Sequence, residues 1–289
     1  MLEHTFCHIP TIGLQAEREL WACGISTWRD ALAAESLPLS ETKCELLLTD
    51  LAESVESLSA GRLEYFQHRL ASRHHWRMFP HFDGSVAYFD IETTGLGQGD
   101  DHITTIVLYD GQTLRHYVHG RNLEDFCRDV ADYRLLVTYN GKSFDVPFTR
   151  AELGCPLEQM HIDLRFVLAS LGFRGGLKGC ERALGLDREG LADMDGYFAV
   201  LLWQDYLKGN KRALDTLLAY NALDVVNLAT LMPMAYNMKL QQTPFAETHA
   251  LDVPTPPAVP FTPDMPTLDT IRRRYLARGG GKRRRRRRR

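Results

Sequence analysis

One stretch constrains this chain more than any other: Ser85-Val86-Ala87-Tyr88-Phe89-Asp90-Ile91-Glu92, followed by Thr93-Thr94-Gly95. It is apolar, β-branched or aromatic except for two acids placed two apart. In an extended strand residues i and i+2 share a face, so Asp90 and Glu92 project side by side from the end of a strand that otherwise demands burial. Two carboxylates this close repel one another and are costly to desolvate unless positive charge lies between them. A hard divalent cation answers that requirement, and the remaining sequence must then supply further oxygen ligands.

Two more acids are placed to do so. Asp145 closes Tyr139-Asn140-Gly141-Lys142-Ser143-Phe144-Asp145, directly after a strand-like run and at the start of a helix. Asp224 lies in Leu217-Leu218-Ala219-Tyr220-Asn221-Ala222-Leu223-Asp224-Val225-Val226-Asn227-Leu228, a helix so apolar that it must be largely buried. Tyr220 is four residues earlier, hence on the same face one turn away. Each piece has a plainer explanation. Asp145 alone fits a helix cap, Tyr220 and Asp224 fit a structural hydrogen bond, and Asp-x-Glu recurs by chance. The three in this order and these settings point to a metal centre.

The surrounding pattern sets the fold class. Ile103–Tyr109 and Thr113–Val118 are strand-like runs joined through Asp110-Gly111, a hairpin signal. With the strand at Asp90 they form a three-stranded antiparallel meander. A helix over Leu123–Ala131, a strand over Leu135–Tyr139, a helix from about Val146 with Pro147 in its first turn, a short strand at His161-Ile162-Asp163 and mostly helical sequence from Leu164 to Leu240 follow. The expectation is an α/β protein: a mixed sheet, three antiparallel strands then parallel ones, with helices on both faces.

Residues 1–79 read as a helical N-terminal region. Ile9-Pro10-Thr11-Ile12-Gly13 before a helix resembles a helix-hairpin-helix turn, a module whose backbone amides can hold a DNA phosphate; a small helical packing unit explains the same residues. Gly61–Trp76 reads as a helix on which Arg69, Arg73 and Arg77 stack along one face, either as a phosphate-contacting stripe or as a solvated surface. Residues 80–240 form the sheet domain. Residues 241–289 begin with seven of the thirteen prolines, which reads as a linker without a packed core; a short basic helix over Asp269–Arg278 and a disordered arginine-rich tail follow.

Composition excludes several classes. No apolar run approaches the roughly 18 residues of a membrane span, and the N-terminus lacks the charged-then-apolar pattern of a signal peptide. The six cysteines are scattered with no Cys-x-x-Cys pair, arguing against a disulfide framework or zinc knuckle and for a reducing, cytoplasmic setting, nucleoid- or RNA-associated. Lys282–Arg289 carry eight positive charges, so the net −3 of the whole chain becomes −11 without them. An acidic body that meets nucleic acid must do so through metal ions or local basic patches.

Asp-Ile-Glu-Thr-Thr-Gly at 90–95, Asn-x-x-x-Phe-Asp at 140–145 and Tyr-x-x-x-Asp at 220–224 together resemble the three motifs of the DEDD 3′–5′ exonucleases, which have a ribonuclease H-like fold. Tyr139–Phe148, His161-Ile162-Asp163-Leu164, Leu177-Lys178-x-x-Glu181-x-x-Leu184-Gly185 and Tyr220–Leu228 further resemble the bacterial YprB-like ribonuclease H-like family, over residues 85–235. The Ile-Pro-x-Ile-Gly and Gly-Ile-x-Thr-Trp pieces of the N-terminus also fit that family. The resemblance implies that Asp90, Glu92, Asp145 and Asp224 ligate two divalent ions, Mg²⁺ or Mn²⁺, and that Tyr220 orients the attacking water. A second subclass has histidine five residues before the last Asp; position 219 is Ala, which places this chain in the tyrosine subclass. Thr93, Thr94 and Gly95 then lie where the terminal nucleotide approaches, with Asn140, Lys142 and Lys178 as substrate contacts and Arg174 as a further phosphate candidate. Phe144 is expected to pack its helix onto the sheet. The expected activity is two-metal 3′–5′ exonucleolytic hydrolysis of nucleic acid, at a single-stranded 3′ end. The rivals are an inactive nucleic-acid-binding module on the same fold, a structure-specific endonuclease, and a scaffold working through its tail.

Overall fold

The computed structural model describes residues 1–82, 84–97, 99–186, 188, 190–191 and 194–277; the arginine-rich tail expected to be disordered lies outside them. A short 3₁₀ turn (Leu2–His4) and four α-helices open the chain. α1 (Leu14–Ala22) follows the Ile9–Gly13 turn, in which Thr11 takes a left-handed φ of 70° while Ile9 and Ile12 are buried. α2 (Trp28–Ala33) starts from a capping box: Thr27 accepts from the Asp30 N–H at 3.1 Å, and the Asp30 carboxylate accepts from the Thr27 N–H at 2.7 Å. α3 (Glu41–Ser59) and α4 (Glu64–Arg69) follow.

The single helix expected over Gly61–Trp76 divides. Leu70 is extended, ending α4, and Ser72–Phe82 continues as 3₁₀ turns. The arginine stripe therefore does not form. Arg69 pairs with Asp50 and Glu53 of α3, at 3.2 and 3.1 Å, while Arg77 turns inward. The Arg77 guanidinium donates twice to the buried Glu17 carboxylate of α1, at 2.8 Å each. A buried glutamate required a partner, and that demand decides where Arg77 points.

The sheet comprises β1 (Val86–Thr93), β2 (Ile103–Tyr109) and β3 (Leu114–Val118), then β4 (Leu135–Thr138) after α5 (Asp125–Val130), and β5 (Met160–Asp163) after α6 (Asp145–Leu153). Its order is β3-β2-β1-β4-β5, antiparallel between β1, β2 and β3 and parallel from β1 through β4 to β5. This is the expected mixed sheet. The β2–β3 hairpin turns at Asp110, whose carboxylate accepts from the N–H groups of Gln112 and Thr113. α7 (Leu164–Ser170), α8 (Gly176–Ala183), α9 (Gly196–Leu207), α10 (Lys211–Leu240) and α11 (Met265–Ala277) complete the chain.

The strand alternation sorts the two faces. Ala87, Phe89 and Ile91 pack with Phe126, Val130 and Val146 on the side of α5 and α6. Val86 and Tyr88 face the other side, where the larger core of α9, α10 and the N-terminal helices lies. By the same parity Asp90 and Glu92 face α10. α10 is long and apolar enough to cross a membrane by length and composition, but almost all of that apolar stretch is buried inside the protein.

Three further expectations are corrected. The proline-rich segment after Gln241, turns followed by irregular chain, is packed: Phe245 is buried, the Asn237 side chain both donates to the Leu251 carbonyl and accepts from its N–H, and Thr230 donates to the Pro254 carbonyl. α11 begins earlier than the expected basic helix; it buries Leu268 and Ile271 while Arg274 pairs with Asp205 at 2.5 Å, so its apolar face and its charge both hold it. Cys127 and Cys155 form a disulfide with Cα atoms 5.3 Å apart. Separated by 28 residues, they meet because α5 and the turn after α6 pack on the same sheet face, which cysteine spacing does not disclose.

Candidate metal centre

β1 and α10 bring the acids together. One oxygen each from Asp90, Glu92 and Asp224 lie within 4.8 Å of one another. Asp145 lies outside that group of three but is held against the same strand. β4 pairs with β1 only from Val86 to Tyr88, so β1 runs on past its parallel neighbour. The N–H of Ile91 in that overhang donates to Asp145 Oδ1 at 3.1 Å, at the N-terminus of α6. A backbone donor left over by the strand offset thus fixes the fourth acid.

The approach to α6 is set by a turn. Asn140 takes a left-handed φ of 71°, and its N–H and that of Lys142 donate to Asp163 at 2.7 and 3.1 Å. Gly141 donates to Thr138 Oγ1 at 3.1 Å, and a Cβ at position 141 would lie 2.3 Å from that oxygen. Only glycine fits.

Glu92, Asp145 and Asp224 are buried and Asp90 is partly so. Low-dielectric surroundings raise the Asp90 carboxyl well above its ordinary value, with Asp145, Asp224 and Glu92 adding repulsion. Glu92 is raised likewise, by burial and then by Asp224. Burial pushes Asp145 up to about 7. Tyr220, buried beside them, has its phenol held strongly protonated by burial and by Asp224 and Glu92.

Two cations reach the cluster. Arg188 Nη1 is 2.5 Å from Asp224 Oδ1, and its Nε and Nη2 donate to Glu181 at 2.5 and 2.6 Å. Lys178 Nζ stands 4.4 Å from the centre of the Tyr220 ring, without a hydrogen-bond partner, and burial lowers its pKa against the pull of Asp224. Counting Glu181, five carboxylates face two cations among the described residues. That deficit, with an all-oxygen donor set, fits hard divalent ions.

The other expected site residues are held by contacts of their own. Thr93 Oγ1 donates to the Gly95 carbonyl at 2.5 Å, Thr94 Oγ1 accepts from the His102 N–H at 2.9 Å, and a Cβ on Gly95 would lie 2.3 Å from the Asp101 carboxylate oxygens. These residues form a closed loop beyond the β1 end. Lys142 Nζ is engaged elsewhere, 3.2 Å from Ser72 Oγ and from His75 Nδ1. The Asn140 side chain accepts from Arg165, and Arg174 caps the Ala169 and Phe173 carbonyls at 2.7 and 2.9 Å. Phe144 packs against the core between α6 and the sheet, as expected.

Arg188, Asn221 and Asn227 partner the acids without having been expected from the sequence. Asn221 Nδ2 donates to Asp90 Oδ2 at 2.8 Å while its Oδ1 accepts from Thr105 at 3.1 Å; Asn227 Nδ2 donates to Glu181 Oε1 at 2.8 Å. Two asparagines inside so apolar a helix are a usable signal, because buried amides must be partnered. Arg188 lies between helices, where no periodicity marks it.

A five-stranded mixed sheet with helices on both faces and acids at the end of its central strand defines a ribonuclease H-like protein. A family model of the RNase H superfamily matches residues 87–236, more than half of the chain, and the chain belongs to that superfamily. No curated protein matches it by sequence. Among solved structures, the family B DNA polymerase from the hyperthermophilic archaeon Pyrobaculum calidifontis is similar at 16% identity and a TM-score of 0.41, over 58% of this chain and 27% of the polymerase. The chain thus spans about a quarter of that polymerase's length. The RNase H-like fold and the acid cluster support a nuclease-type function acting on nucleic acid.

Proposed function

We propose that this protein is a metal-dependent 3′–5′ exonuclease of the tyrosine subclass, related to the YprB-like group. The observation that carries the reading is the convergence of Asp90, Glu92 and Asp224 within 4.8 Å, with Asp145 bonded to the same strand. Divalent ions held by these four acids would supply Lewis-acid activation of a water and neutralise charge at the scissile phosphate. Glu92 and Asp224 lie beside Tyr220, whose phenol stays protonated and so can donate a hydrogen bond that holds and aims the attacking water. The buried, unpaired Lys178 amine offers a charge-assisted contact to a phosphate oxygen. The Thr93–Gly95 loop would meet the terminal nucleotide, as the motif resemblance implies. The motif resemblance over residues 85–235 supports the 3′–5′ direction and the two-ion stoichiometry, and the helical N-terminal region serves as an accessory unit to this domain.

The test is digestion of 5′-labelled single-stranded DNA and RNA with Mn²⁺, comparing the natural chain with Asp90→Ala and Asp224→Asn. A one-nucleotide ladder shortening from the 3′ end, absent from both variants, is expected. Absence of metal-dependent cleavage of either polymer overturns the reading, and a single internal cut would assign an endonuclease instead.

A further inference from the structure

Three of the four acids have one oxygen already engaged by the protein. Arg188 Nη1 forms an ion pair with Asp224 Oδ1 at 2.5 Å, Asn221 Nδ2 donates to Asp90 Oδ2 at 2.8 Å, and the Ile91 N–H donates to Asp145 Oδ1 at 3.1 Å. The first differs from the others in carrying a full positive charge. A cation chelated by both oxygens of Asp224 would have to approach an oxygen that already touches a guanidinium.

Arg188 is not free to drift away. Its Nε and Nη2 grip both oxygens of Glu181, and Glu181 Oε1 also accepts from Asn227 Nδ2 at 2.8 Å. Asn227 lies on α10 three residues after Asp224, so the contacts close a ring: Asp224, Arg188, Glu181, Asn227 and back through the helix. Arg188 and Glu181 are both buried, and a bidentate guanidinium–carboxylate pair in such surroundings has one geometry.

We infer that Arg188, locked by Glu181 and Asn227, is a positioning residue that restricts Asp224 to a one-oxygen ligand and thereby selects small octahedral ions over Ca²⁺. The inference rests on the metal reading given above. Ca²⁺ gathers six to eight oxygens and favours carboxylates that bind through both, whereas Mg²⁺ keeps near-octahedral geometry with single-oxygen ligands and water. Mn²⁺ shares the oxygen-rich octahedral preference. Holding one oxygen of Asp224 against a fixed cation removes the denticity Ca²⁺ needs and leaves that required by the smaller ions.

The test is titration calorimetry of the full chain with Mn²⁺ and with Ca²⁺, beside thermal unfolding of the metal-free protein, for the natural chain, Arg188→Gln and Arg188→Lys. The natural chain is expected to bind Mn²⁺ at least tenfold more tightly than Ca²⁺. In Arg188→Gln the ratio is expected to fall at least tenfold, chiefly through tighter Ca²⁺ binding. Arg188→Lys, which keeps the charge but not the fork, is expected to lie between. A merely structural arginine would shift the unfolding temperature and leave the ratio unchanged. An unchanged ratio in Arg188→Gln, or in Arg188→Lys should the first fail to fold, overturns the inference while leaving Mn²⁺ binding and the nuclease reading intact. Absence of binding of either ion by the natural chain overturns both.

Discussion

The backbone N–H of Ile91 donates to Asp145 Oδ1 at 3.1 Å, joining the overhanging end of β1 to the first residue of α6. Asp145 therefore holds two parts of the site together and is also one of its charges. Asp145→Asn separates the roles, because the amide oxygen still accepts from Ile91 while the charge is gone. The unfolding temperature of the metal-free variant is expected to be unchanged or higher, since a repulsive buried carboxylate has been removed. Hydrolysis is expected to fall by about a hundredfold or more, consistent with the electrostatic weight of a metal ligand in such sites. Thermal unfolding and a rate measurement check the two halves.

The same residue gives a pH dependence with a definite sign. Asp145 is raised from 3.8 to about 7 in the folded chain, so the folded state keeps its proton where the unfolded state has lost it. Its contribution to stability is fully present below 3.8 and is lost as the pH rises through about 7. Metal-free protein is expected to lose stability over that interval relative to Asp145→Asn, and Mn²⁺ is expected to restore more of it the higher the pH. Unfolding temperatures of both proteins from pH 4 to 8, with and without Mn²⁺, measure the difference.

Histidines act in the opposite direction. Burial lowers His8, His74 and His161 to about 3, so each is neutral in the folded chain. Unfolding lets them take up protons, so their contribution is complete above 6.5 and is lost as the pH falls toward 3. His161→Gln, which keeps an amide beside Thr138 Oγ1, is expected to shift acid unfolding to lower pH, as followed by circular dichroism.

The Glu17–Arg77 pair joins α1 to the turns leading into β1 and is almost fully buried. Glu17→Ala leaves the guanidinium uncompensated, and a loss of about 3–5 kcal/mol is expected in urea unfolding. A loss below about 1 kcal/mol would mean that water reaches Arg77.

Gly141→Ala places a Cβ 2.3 Å from Thr138 Oγ1 and 2.6 Å from its Cβ, in a turn that cannot widen without moving Asn140 and Asp145. A cost of about 1–3 kcal/mol is expected, as for overpacking generally, together with weaker metal binding.

The sheet was legible in the sequence because strand alternation, the Asp110-Gly111 turn and the buried helix over Leu217–Leu228 are local signals, and the acids sit on or beside these elements. The surroundings of the acids were less so. Lys142 looks like a phosphate contact by its place after Asn140-Gly141, but Ser72 and His75 engage its amine through a contact some 70 residues away in sequence. Arg69, Arg73 and Arg77 have helical spacing, yet the demand of buried Glu17 outweighs it. Arg188 stands on no periodic segment; its place follows from Glu181 and Asp224, which meet only when α8 and α10 pack. Long-range charge pairing is what a one-dimensional pattern does not carry.

The proposed metal centre can be tested most directly by anomalous scattering from crystals grown with Mn²⁺ and a non-hydrolysable single-stranded oligonucleotide. Two anomalous peaks about 4 Å apart are expected, with oxygens of Asp90, Glu92, Asp145 and Asp224 within ligand distance and Asp224 contributing a single oxygen. A map with no peak within ligand distance of Asp90 and Glu92 would contradict the account.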